Sequence, residues 1–159
     1  MSKYVDDEEL NSFEFEKEII IKDQWKREYL FKIFLYELPT GFSLEARESR
    51  EDESPGHNFS LFLDFDEDIE FGKEMIIRKI KRGLNRRHLT KEDGKWEIGK
   101  RDMLRGRIDW NDDFSDTKYS RVFVIDGKRI TMEEFGEMFE RWEGWHFKFK
   151  IVDRYDSDV

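Results

Sequence analysis

The chain has 159 residues, a formal net charge of −9 and 42% charged residues, so it is the size of one domain with an acidic surface. Only 37% of it is apolar, but 16% is aromatic, and large rings bury enough area per residue to argue against disorder. The absence of cysteine excludes disulfides, thiol nucleophiles and Cys-based zinc sites, and it fits a reducing, cytoplasmic setting.

Residues 1–11 read as an acidic leader with no apolar core, unlike a signal peptide. No apolar run approaches the length needed to cross a membrane. From residue 13, Phe13, Phe15, Ile19 and Ile21 alternate with Glu14, Glu16 and Glu18, which is strand spacing. "REYLFKIFLYEL" is apolar on both faces and predicts a central strand. Pro39-Thr40-Gly41 supplies a turn into "FSLEAR", with Phe42, Leu44 and Ala46 inward. "ESREDESPGH" is a polar loop, and "FSLFLDF" is another strand, with Phe59, Leu61, Leu63 and Phe65 on one face.

A helix is expected from near Asp66, with Ile69, Gly72, Ile76, Ile80 and Leu84 on one face and Gly83 at its end. "KEDG" predicts a turn and "MLRGRIDW" a strand, followed by the acidic loop "NDDFSDTKYS". "RVFVI-DG-KRI" is a hairpin signal, because Asp-Gly favours the type I′ turn. Thr131 and Glu134 form a capping box for a helix with Met132, Phe135, Phe139 and Trp142 on one stripe, stopped by Gly144. "WHFKFKIVD" predicts a final strand with Trp145, Phe147, Phe149 and Ile151 on one face. The order predicts one α+β domain over 12–153. It would hold a mostly antiparallel sheet of about seven or eight strands with two helices packed on it, and 154–159 would be a polar tail.

Residues 76–91 carry seven Lys or Arg and no acid. Acids gather in the first half of the preceding helix and bases in the last, which is what the helix dipole favours. No aromatic residue lies between Arg78 and Lys91 to stack on bases. Nucleic acid is therefore not the expected partner. Arg86, Arg87 and His88 lie past the helix end and remain the candidates for a phosphate or partner contact.

Asp64, Asp66 and Asp68 alternate where a strand meets the helix. An apolar strand ending in Asp64-x-Asp66 resembles the nucleophile and acid pair of haloacid-dehalogenase-type phosphatases. That resemblance implies a parallel sheet and a metal-dependent hydrolase using Asp64 and Asp66. The strand order here predicts antiparallel pairing, and Glu67 and Asp68 replace the small residues that usually follow, so helix capping is the preferred reading. An EF-hand fails because Ile69 and Met75 occupy its Gly and Glu positions. Asp64, Asp66, Asp112, Asp113 and Asp116 are weak metal candidates of no recognised spacing, and His57, His88 and His146 are scattered. No nucleophile elbow, P-loop or dinucleotide fingerprint is present.

The sequence thus predicts no catalytic constellation and no cofactor. It points to a protein-binding or regulatory module, with Trp142 and Trp145 as further contact candidates. An inhibitor- or immunity-type protein neutralising a basic partner is one version. Exposed edge strands leave a homodimer open.

Overall fold

The computed structural model describes residues 17–112 and 119–159. Nine strands, all paired antiparallel, form three sheets accompanied by two α-helices among the described residues, which is the expected α+β class. Contacts sort the chain into two compact units, a finer division than the one domain read over 12–153.

The first unit comprises Met1–Ser49, Asn58–Asn85 and Asp153–Val159. Its four-stranded sheet runs in sequence order: β1 (Lys17–Lys22), β2 (Glu28–Leu38), β3 (Gly41–Glu48) and β4 (Asn58–Leu63). Phe13 and Phe15, expected in the first strand, lie outside the described residues. The alternation holds in what is described, since Ile21 is buried and Ile20 is exposed. Asp23 makes the β1–β2 turn by accepting the N–H groups of Trp25 and Arg27. Ala46, the sole alanine of the chain, is fully buried between its register partners Ile33 on β2 and Phe59 on β4.

Helix α1 (Ile69–Leu84) packs on β3 and β4 through Ile76, Ile80 and Leu84. Its N-cap is Asp68, which accepts the Glu70 N–H, so the helix begins later than Asp66. Gly83 is not the left-handed terminus expected. It lies inside the helix, and a Cβ there would stand 2.3 Å from Phe59 Cε1. A Cβ on Gly72 would stand 2.4 Å from Leu63 Cδ1. Three helical turns separate these glycines, so they share a face, and both let the helix lie close on β4.

The second unit comprises Arg50–His57 and Arg86–Val152. It holds the hairpin β5 (Leu89–Glu92) and β6 (Lys95–Ile98), and the sheet β7 (Arg107–Trp110), β8 (Arg121–Ile125) and β9 (Lys128–Ile130). Both hairpins turn on Asp-Gly with positive φ at each residue: Asp93 and Gly94, and Asp126 and Gly127. Helix α2 (Met132–Glu137) starts with the expected Thr131/Glu134 capping box. It ends early, and only a 3₁₀ turn at Glu140–Trp142 follows. Gly136, a poor helix former, weakens the short helix, and the fully buried residue is Met138 instead of a member of the expected stripe.

The final strand is the clearest departure. Residues 145–152 carry no strand, although their pattern alternates well. A strand exists only when its backbone groups find a ladder partner, and none of the sheets includes this stretch.

Candidate functional site

The basic stretch is used within its own units. Lys79 is buried and donates from Nζ to Ser60 O (2.7 Å) and Arg154 O (3.3 Å). Burial pushes its pKa down, with Arg82 adding to the fall and Asp156 and Asp153 opposing it. Arg82 donates to Ser157 O at 2.7 Å. Tyr155 donates its hydroxyl to Ser43 Oγ at 2.9 Å and sets its ring edge-on to Phe62. The cationic end of α1 therefore grips residues 154–157, which read in sequence as a plain polar tail.

Past the helix, Arg86 is half-buried and Arg87 exposed, and both are engaged by other groups. His88 points inward. Its Nδ1 lies 2.8 Å from Asp126 Oδ1, while its main-chain N–H and that of Leu89 donate to Asp126 Oδ2 at 2.8 and 2.9 Å. On the other side of the ring, Arg105 Nη1 lies 3.3 Å from Nε2. A guanidinium can only donate, so Nε2 accepts and Nδ1 carries the proton given to Asp126. Burial raises the Asp126 pKa, but the hydrogen bonds from the His88 ring and the Leu89 and His88 N–H groups outweigh it and hold the carboxylate below its ordinary range.

Both imidazole nitrogens and both carboxylate oxygens are thus occupied. A His–Asp pair so engaged clamps the β8–β9 turn to the start of β5, with the one lone pair of the ring turned to Arg105. His57 joins the same turn: a Cβ on Gly127 would stand 2.6 Å from His57 Nδ1 and 2.9 Å from Arg50 Nη2. Sequence spacing gave no sign of this meeting, because the residues lie far apart along the chain.

The carboxylate candidates do not converge. Asp64 and Asp66 are exposed, and the Asp64 N–H is capped by Glu67 Oε1 at 3.1 Å. Asp112 is exposed, and Asp113 and Asp116 lie outside the described residues. Among the described residues no group of three or more His, Asp or Glu side chains is placed to hold a metal ion.

The most unusual surface is the aromatic stretch after α2. Phe135 packs on Phe123 at 4.3 Å and meets Phe139 edge-on. Arg141 anchors the 3₁₀ turn by pairing with Glu92 at 2.6 Å. Trp142 and Trp145 stand edge-to-face with centroids 5.1 Å apart, and Trp142 Nε1 is a buried donor without an acceptor among the described residues. Gly144, at φ +85°, then turns the chain outward. Beyond it Trp145, Phe147, Phe149 and Ile151 are 68%, 88%, 66% and 66% exposed. His146, Lys148 and Lys150 alternate with them. One side of this stretch is thus apolar, and the other carries Lys148 and Lys150.

Each half of the chain matches a different domain family. Residues 13–85 match the model of a domain of unknown function (DUF7686), and residues 87–156 match that of a second domain of unknown function (DUF7713). No curated protein and no solved structure matches the chain. The junction between the two matches falls where the chain passes from Asn85 to Arg86, one of the crossings between its two compact units, although Arg50–His57 of the second unit lies within the first match.

Proposed function

We propose that this protein is a non-catalytic, cytoplasmic binding module that engages another protein through residues 145–151. The observation that carries the reading is the exposure of Trp145, Phe147, Phe149 and Ile151 in one alternating stretch that has no strand partner among the described residues. A strand-like segment with free backbone groups and a row of apolar side chains is what β-strand addition needs from one partner. Burying four such side chains contributes on the order of 6–10 kcal/mol before the costs of association. The absence of cysteine supports the reducing compartment. No helix among the described residues is long and apolar enough to cross a membrane.

The charge of the stretch indicates the partner's character. Lys148 and Lys150 favour an acidic segment, so a partner that is basic overall would have to offer one locally. An inhibitor- or immunity-type role remains compatible with that contact. Affinity capture with the full chain as bait tests the reading. A partner retained by the wild-type chain, released by salt and lost with Phe147→Ser/Phe149→Ser is expected. Identical captures by the two baits would remove it.

A further inference from the structure

We infer that the outer edge of β1 takes an extended segment of another protein, apolar along its length and acidic at one end. This contact lies in the first unit and does not depend on 145–151.

β1 is the terminal strand of its sheet, and among the described residues it is paired only with β2. An edge strand presents a row of main-chain N–H and C=O groups ready to pair with another strand. The charges of β1, Lys17, Glu18 and Lys22, stand at its ends, and its middle is three isoleucines, of which Ile20 is 64% exposed. Beside the strand runs a shallow groove of about 410 Å³, lined by Ile19, Ile20, Ile21 and Ile77 together with Lys22 and Lys81.

The groove is apolar along its length and cationic at one end. Just past β1, the Gln24 main-chain N–H donates to Asn85 Oδ1 at 2.7 Å and its side-chain amide to Asn85 O at 3.2 Å. The close of β1 is thereby fastened to the close of α1, and Lys81 lies one helical turn before Asn85. Lys22 and Lys81 therefore flank the same end of the groove. Lys22 also meets Glu28 at 3.6 Å, but both side chains are largely exposed, so that pair is weak and leaves Lys22 able to take a second carboxylate. Towards the other end stands Glu18, paired with Lys32 at 3.8 Å. Cross-strand neighbours of opposite charge stabilise a ladder and like charges oppose it. A segment laid on this edge is thus favoured with acids opposite Lys22 and without them opposite Glu18. In an antiparallel pairing its acids lie at its N-terminal end. A hydrocarbon chain ending in a carboxylate would match the groove but would leave the outer main-chain groups of β1 without partners. A peptide fills the groove and extends the ladder.

Amide NMR titration of the full chain with a blocked eight-residue peptide, Val and Thr alternating after two N-terminal Glu, tests this. The expected result is saturable shifts in β1 and the last two turns of α1. Replacing the peptide's Glu pair by Lys should weaken Kd by about tenfold, because attraction to Lys22 and Lys81 becomes repulsion. Lys22→Glu/Lys81→Glu changes two exposed side chains and should keep the wild-type melting temperature while inverting the preference between the two peptides. Equal binding of both peptides, shifts only outside these elements, or no binding overturns the inference. Dodecanoate that displaces the peptide from the same residues with equal or greater affinity overturns the peptide as occupant and assigns the groove to a lipid anion.

Discussion

Asp126 and His88 are joined twice, by the ring at Oδ1 and by the main-chain N–H at Oδ2, across 38 residues of sequence. The same Asp also holds the left-handed first position of the β8–β9 turn. A residue that turns a hairpin is thus also the anchor of β5.

Replacing Asp126 by Asn keeps the turn and an accepting oxygen but places an amide donor opposite the His88 ring. The ring must then present its lone pair at Nδ1 and a proton at Nε2, where Arg105 also donates. Asp126→Asn is expected to cost about 1–3 kcal/mol in chemical denaturation at pH 7. The pH dependence has a definite sign. The folded pKa lies below the unfolded one, so the Asp126 contribution is complete above the ordinary Asp value of about 3.9 and is lost as pH falls through the lower folded value. The stability gap between wild type and Asp126→Asn should therefore shrink as pH falls below that range.

Gly83 gives a prediction opposite to helix propensity. Alanine in a helix interior is worth about 1 kcal/mol over glycine. Here its methyl would meet the Phe59 ring, which is 7% exposed and cannot move aside freely. Gly83→Ala is expected to lower stability by about 1–3 kcal/mol. In a Phe59→Leu background, where that ring is gone, the penalty should fall or reverse, which a double-mutant cycle by denaturation would read.

The C-terminal residues are expected to stabilise the first unit. Tyr155→Phe removes the hydrogen bond to Ser43 and should cost about 1 kcal/mol. Removing residues 154–159 takes away the Arg154 and Ser157 carbonyls held by Lys79 and Arg82. It should lower the melting temperature well beyond the Tyr155→Phe effect.

Much of the architecture was legible because strands and turns are local. The 2-residue period of 41–48 and 58–63, the two Asp-Gly turns and the Thr131/Glu134 box all follow from neighbours in sequence. What was illegible depends on partners far along the chain. Gly83 looked like a helix end because nothing local reveals the Phe59 ring above it. His88 looked like part of a basic surface because nothing local reveals Asp126. The alternation at 145–151 was legible, but a strand also needs an edge to join, and periodicity does not supply one.

Phe147→Ser and Phe149→Ser should leave folding untouched. Both side chains are largely exposed, so each change is expected to move stability by less than about 0.5 kcal/mol. The same substitutions should abolish association. Thermal denaturation beside the binding assay separates the two effects.

Amide hydrogen exchange across 145–151 tests the central claim most directly. In the full-length protein alone these amides should exchange as fast as an unstructured peptide, and adding the captured partner should slow them. Firm protection in the dilute protein, matching that of β8, would contradict the account, because the stretch would then already be covered. Fast exchange with the captured partner bound would contradict it equally.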